Sequence, residues 1–328
     1  MRCISRAKSA ALVCVASISL FTGGCIGGKG ATPVTAYELK NYNQDLYQGK
    51  LYAEELCVAQ NDVALEGYTE DTELHSAALF DLTGERVLYS YKAHERLYPA
   101  STTKIMTALL AIENANLDDQ VTISGNADAS SFPADAQVCG LAKGEVWTLR
   151  DLLGALLLYS GNDAATAIAE YVGGSEEAFV NMMNRRAQEL MANGTHFMNP
   201  HGLHDDNHYT TAYDLYLIFN ECIKHEDFVN IIQSEAYTAY YIDVDGNSRE
   251  ALFTPTNLYA QGEVDVPENV TIVGGKTGTT DEAGYCLILM EKDSSDNPYI
   301  SIVMGASEKP VLYEDMTSLI EAIPSGQQ

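Results

Sequence analysis

The chain has 328 residues, 46% apolar and 20% charged, with 25 Gly and 9 Pro, a composition that excludes disordered and fibrous classes. Its 19 Lys and Arg against 46 Asp and Glu give a net charge of -27, which repels polyphosphate backbones and excludes nucleic acid as a partner. Seven cysteines are too few for a disulfide scaffold, so the length implies one large domain or two small ones, each able to bury a core.

Arg2, Arg6 and Lys8 precede a mostly small and apolar run over 9–21, long enough for a secretory signal and too short to span a bilayer. Residues 1–25 are therefore expected to be a signal peptide, and the protein to act outside the cytoplasm. The tract Phe21-Thr22-Gly23-Gly24-Cys25 resembles a bacterial lipobox, in which Cys25 is acylated and becomes the new N-terminus, with Leu20 two positions further from the cysteine than the usual apolar residue. Ordinary cleavage with Cys25 as a bystander is the alternative. Anionic lipid would repel so acidic a chain, so attachment to the outer face of the cell membrane must come through the covalent N-terminal lipid. Residues 26–50, opening on a Gly-rich stretch, read as a tether and lead-in, and 51–328 as a single domain.

Apolar-rich segments 75–82 and 86–93, parted by Thr83-Gly84-Glu85, predict a β-hairpin. Three further strands are expected at 270–277, 285–292 and 299–306, the last two joined by the polar turn 293–298. Helical periodicity marks 101–113, 149–159, 163–172, 176–192, 211–224 and 313–322. Strands distant in sequence that share one sheet, with helices between them, imply an α+β fold: a five-stranded sheet flanked by helices plus an all-helical lobe, with a cleft between the two.

Three short motifs fall around that cleft. Ser101 and Lys104 lie three apart at a helix start, on one face, so a hydroxyl sits beside an amine that becomes a base once burial and positive neighbours lower its pKa. Ser5 and Lys8 match the same pattern inside the signal segment, so position decides. Ser160-Gly161-Asn162 follows a long apolar helix, unlike its decoys Ser124-Gly125-Asn126 and Ser295-Asp296-Asn297. Lys276-Thr277-Gly278 closes a strand after Gly274 and Gly275, a strand edge on which a peptide could lie, with Lys276 and the hydroxyls of Thr277 and Thr279 holding an anionic chain end. The bland readings are a capping Ser101 with a solvated Lys104, loop residues at 160–162, and an edge-strand charge at Lys276. His196, His201, His204 and His208 with Asp205 and Asp206 match no regular zinc spacing and read as a structured loop bordering the cleft. Tyr213, Leu215, Leu217 and Phe219 read as core. The mature cysteines Cys57, Cys139, Cys222 and Cys286 admit disulfides or buried free thiols alike.

The order Ser-x-x-Lys, Ser-x-Asn, Lys-Thr-Gly, set within Ser160-Gly161-Asn162-Asp163-Ala164-Ala165, Asn199-Pro200-His201-Gly202-Leu203 and Lys276-Thr277-Gly278-Thr279-Thr280, resembles the serine D-alanyl-D-alanine carboxypeptidases, the low-molecular-mass penicillin-binding proteins. The resemblance runs over about 73–323 and implies the β-lactamase/transpeptidase-like fold with an antiparallel five-stranded sheet. It implies that Ser101 attacks the carbonyl between two terminal D-alanines of a peptidoglycan stem peptide, that Lys104 takes its proton and that Ser160 relays a proton to the leaving amine. Asn162 would orient Lys104 and the substrate, with Lys276, Thr277, Gly278 and Thr279 in the binding rim and the backbone N–H groups of Ser101 and Thr279 as oxyanion hole. β-Lactams would acylate Ser101, and no metal or other cofactor is implied. One helix after the last strand leaves no room for the C-terminal β-domain of many relatives, and a lipid on Cys25 would replace their anchor. The rival functions are a serine β-lactamase, which needs a water-priming glutamate, and a non-catalytic wall-binding lipoprotein, which would not need Ser101, Lys104, Ser160 and Lys276 intact. Glu189 and Asn193 have a suggestive Glu-x-x-x-Asn spacing, but they end the helix 176–192, lack the usual leucine before the asparagine and precede Gly194 as a C-cap, so Glu189 reads as structural.

Overall fold

In the computed structural model, residues 55–65 and 76–324 are described; the expected signal segment 1–25 with Cys25, and the tether 26–50, lie outside them. The hairpin of β1 (Ser76–Asp81) and β2 (Arg86–Tyr91) is closed by Asp81, whose carboxylate accepts from the Gly84 amide at 2.8 Å and from Arg86 at 2.6 Å. After it come α1 (Lys104–Asn114), β3 (Gln120–Thr122), β4 (Val146–Thr148), α2 (Leu149–Gly154), α3 (Asn162–Gly173) and α4 (Glu176–Glu189). The chain continues through α5 (Ala212–Cys222), α6 (Glu226–Ile232), β5 (Tyr237–Ile242), β6 (Ser248–Phe253) and α7 (Leu258–Gln261). It ends in β7 (Val270–Thr280), β8 (Gly284–Asp293), β9 (Pro298–Ala306) and α8 (Lys309–Glu321).

Five strands form one antiparallel sheet, the number expected from the sequence, in the order β2-β1-β9-β8-β7. Its two faces follow the two-residue period of a strand. Leu79, Leu287, Leu289 and Val303 turn to one side, where Leu312, Met316, Leu319 and Ile320 of α8 cover them. Phe80, Ile288 and Ile302 turn to the other and join the main core with α1. That helix is buried from Lys104 to Ala111, which puts a lysine at the start of an enclosed helix. Thr148, Ser175 and Thr211 cap α2, α4 and α5 by accepting from backbone N–H groups of the first turn.

Three features depart from expectation. The lobe is not all-helical: β3, β4, β5 and β6 make a second, four-stranded antiparallel sheet in that order, with Trp147 stacked on Tyr241 at 4.2 Å. Three-residue strands such as β3 and β4 carry no readable alternation, so only the long-range pairing reveals them. The run expected as one helix over 149–159 changes at Gly154 into a wider π turn, Ala155–Tyr159, which ends on Ser160. And α4 stops at Glu189 with Met191 at φ 61°, ahead of the expected Gly194 cap.

Among the described residues no helix is long and apolar enough to cross a membrane. Cys57, Cys139, Cys222 and Cys286 are free thiols, which settles the alternative left open by the sequence.

Candidate active site

Pro99 leads into a single 3-10 turn, Ala100–Thr103, on which Ser101 rides just ahead of α1. Ala100 sits at φ 47°, an unfavourable value for a residue with a Cβ, and Thr102 ties the turn down by donating to the Pro99 carbonyl at 2.7 Å. Gly202 takes φ 87° beside it, where any Cβ would stand 1.9 Å from the Ala100 oxygen. The Lys104 amine nitrogen lies 2.9 Å from Ser101 Oγ, 2.7 Å from Asn162 Oδ1 and 2.6 Å from the His201 carbonyl oxygen, with the whole residue 0% exposed. Burial, reinforced by the charge of Lys276, holds the Lys104 amine well below the ordinary lysine pKa.

The π turn delivers Ser160 in a left-handed conformation, φ 69°, and α3 begins two residues later at Asn162. Across the cleft, Lys276 on β7 donates to Ser160 Oγ at 2.9 Å and to its neighbour's carbonyl, Thr277 O, at 2.8 Å. Burial pushes the Lys276 amine down to about 7. β7 is an edge of the five-stranded sheet, so one side of its backbone has no partner strand. A Cβ on Gly278 would lie 2.8 Å from Pro99 O and 3.1 Å from the Ser101 nitrogen, so this glycine lets the strand backbone close on the Ser101 turn.

Five of the residues singled out from the sequence converge: Ser101, Lys104 and Asn162 form one hydrogen-bonded set, and Ser160 and Lys276 a second. Thr277 departs in detail. Its hydroxyl is 2.5 Å from that of Thr256, on the segment after β6, rather than standing free. Thr256 is a candidate the sequence did not offer, because no local pattern links two threonines on separate segments. Thr279 is exposed at the outer end of β7.

The decoys separate cleanly. Ser124 Oγ accepts from the amides of Asn126 and Ala127 in a surface turn, and Asn297 is held by Asp293 in the β8–β9 hairpin. The histidine segment supports the site from beneath: His208 Nε2 is 2.8 Å from Thr103 Oγ1, and burial pushes His208 and His201 down to about 4 and about 3, so their rings are neutral. The metal-capable group among the described residues is instead Glu113, Glu221 and His225, where Arg186 already bonds Glu113 at 2.6 Å and Glu221 at 3.2 Å. Glu189 lies on the surface beside Arg185 and Arg186, so the spacing that suggested a water-priming glutamate is a helix-end ion pair.

A serine beside a buried lysine, and a second serine bridged to a second buried lysine on a sheet edge, is the constellation of the penicillin-interacting serine enzymes. Residues 64–308 match the family of the D-alanyl-D-alanine carboxypeptidases, peptidase family S11, and the chain belongs to it. It is 34% identical over 256 residues to the D-alanyl-D-alanine carboxypeptidase DacF of Bacillus subtilis, which spans 76% of this chain and 61% of that protein. It is 31% identical over 249 residues to DacC of Escherichia coli, covering 74% of this chain and 59% of the relative, so the match takes in about three fifths of these relatives' length. The crystal structure of the Streptomyces K15 DD-transpeptidase superposes with a TM-score of 0.71 at 29% identity, over 78% of this chain and 98% of that one. Penicillin binding protein 5 of Haemophilus influenzae gives 0.68 at 27% identity, over 78% and 72% respectively.

Proposed function

We propose that the protein is a serine D,D-carboxypeptidase that removes the terminal D-alanine from peptidoglycan stem peptides through an acyl-enzyme on Ser101. The observation that carries this reading is the hydrogen-bonding of the Lys104 amine. A neutral amine has two N–H bonds and one lone pair. Asn162 Oδ1 and His201 O take the two donors, which leaves the lone pair for the Ser101 hydroxyl 2.9 Å away.

Ser101 Oγ then forms a bond to the scissile carbonyl carbon while its proton passes to Lys104 Nζ. The backbone N–H groups of Ser101 and Thr279 receive the developing oxyanion, a pair in which each donor is worth about 3 kcal/mol of transition-state stabilisation. The carbon–nitrogen bond breaks as a proton reaches the leaving amine through Ser160, whose hydroxyl Lys276 holds. Free D-alanine leaves, water adds to the ester and Ser101 is regenerated. The substrate's terminal carboxylate lies against Lys276, Thr277 and Thr279, with Gly278 giving the backbone approach. A β-lactam reacts at the same hydroxyl and leaves a slowly hydrolysed ester, since Glu189 stands on the surface, away from this chemistry.

Purified protein releases D-alanine from a peptide ending in D-Ala-D-Ala and is labelled by penicillin on the peptide containing Ser101, read by mass spectrometry. A Ser101→Ala variant that retains D-alanine release would sink the assignment. Rapid turnover of penicillin would replace it with the β-lactamase reading. The domain reading places this chemistry in 51–328, carried outside the cytoplasm by residues 1–25 and anchored through a lipid on Cys25; a Cys25→Ala protein that stays in the membrane fraction would refute the anchor.

A further inference from the structure

Asp163, 0% exposed in the first turn of α3, is used by none of the steps above. Its carboxylate accepts four backbone N–H groups. Oδ1 takes those of Cys139 and Ala164, each at 2.9 Å, and Oδ2 takes those of Gly140 at 2.9 Å and Leu141 at 3.1 Å. Three of the four donors come from one segment, more than twenty residues away in sequence, so the contact is a tertiary clamp rather than a simple helix cap.

That segment is fastened to the Ser160 turn at other points. The Asn162 amide donates to Gln137 O at 2.8 Å, and the Gln137 side chain reaches Tyr159 O at 3.3 Å. A Cβ on Gly161 would fall 2.2 Å from Cys139 Sγ and 2.8 Å from Asp163 Oδ1, so the segment rests directly on the peptide between Ser160 and Asn162. Asn162 is the residue whose Oδ1 holds Lys104.

We propose that Asp163 is a positioning residue for acyl transfer: by clamping segment 137–141 it forms the wall behind the Ser160–Asn162 turn and fixes Asn162 against Lys104. The inference rests on the reading of Ser101 as nucleophile and Lys104 as base. The site contains a second reason for an anion here. Lys104 is faced by Lys276 from β7, by the Cys139 thiol, by Asp163 from α3, and by His201 and His208 from the segment before α5. The two histidines are neutral, so Asp163 is the acidic group that offsets the effect of Lys276 on Lys104.

Two variants test this, read by the rate of Ser101 acylation by penicillin as a function of pH. Asp163→Asn replaces an acceptor oxygen with a donor that faces backbone N–H groups, and removes the charge. Acylation falls about 10- to 100-fold at the plateau, the size of effect expected from a misplaced catalytic group. The acid limb also moves to lower pH, because loss of a nearby anion makes protonated Lys104 less stable. Gly161→Ala pushes the same segment away while keeping the carboxylate, so its plateau falls and its limb stays in place. Should Asp163→Asn fail to fold, Gly161→Ala decides the matter: wild-type acylation in that variant overturns the proposal. So does an Asp163→Asn protein that loses stability but keeps the wild-type plateau and limb. Wild-type protein that penicillin does not label at all would instead overturn the D,D-peptidase reading.

Discussion

Replacing Lys276 with methionine separates what the site needs from what the fold prefers. The amine is 1% exposed and its pKa falls from 10.5 to about 7 through burial alone. At about 1.4 kcal/mol per pH unit, holding that charge in the folded state costs on the order of 5 kcal/mol below pH 7. The sign follows from proton binding. Below about 7 both states are protonated and the whole cost is present; between there and 10.5 the unfolded chain binds the extra proton, so stability rises with pH. From pH 6 to pH 9 the wild type should recover about 3 kcal/mol from this residue. Lys276→Met removes the cost and forfeits the bonds to Ser160 Oγ and Thr277 O, together a loss of about 1–3 kcal/mol. The variant should therefore be more stable than wild type by about 2–4 kcal/mol at pH 6, and close to it at pH 9. Relief of the repulsion on Lys104 acts in the same direction. Urea unfolding at the two pH values measures the difference directly, while binding of acid-terminated peptides is lost. A variant less stable than wild type at pH 6, or one whose advantage does not shrink with pH, would refute the reasoning.

Acylation of Ser101 should rise as Lys104 loses its proton, along a limb well below the ordinary lysine pKa of 10.5; a limb near that value would show the amine to be solvated. Gly278→Ala places a methyl 2.8 Å from Pro99 O and parts β7 from the Ser101 turn, so penicillin labelling should fall about 100-fold or more in a protein with unchanged circular dichroism. Wild-type labelling in that variant would remove Thr279 from the oxyanion hole. Thr256→Val frees the Thr277 hydroxyl from its partner at 2.5 Å and should raise KM for acid-terminated peptides about fivefold, with kcat nearly unchanged. An equal change for an amide-terminated peptide would mean that Thr277 does not meet the carboxylate.

Local chemistry made much of this readable in one dimension. The spacing of Ser101 and Lys104 fixes their common face, and the strands of the large sheet announce themselves by apolar runs and turn residues, so the β1–β2 and β8–β9 hairpins were legible from sequence while the pairing of β1 with β9 was not. The decoy at Ser124 could be set aside because no long apolar helix precedes it. What escaped is what depends on partners far along the chain. β3 and β4 are three residues each and exist because β5 pairs with β4. The end of the helix at Gly154, the contact of Thr256 with Thr277, and the clamp of Asp163 on segment 137–141 have no periodic signature.

The sequence by itself determined the identity and order of the reactive groups, because side-chain chemistry and short spacings are local properties. Only the tertiary structure decided that two lysines distant in the chain lie buried within reach of one another. Whether each carries a proton depends on how much water and which charges surround it, and that environment is assembled by the packing of β7, α1 and α3, not by any one of them.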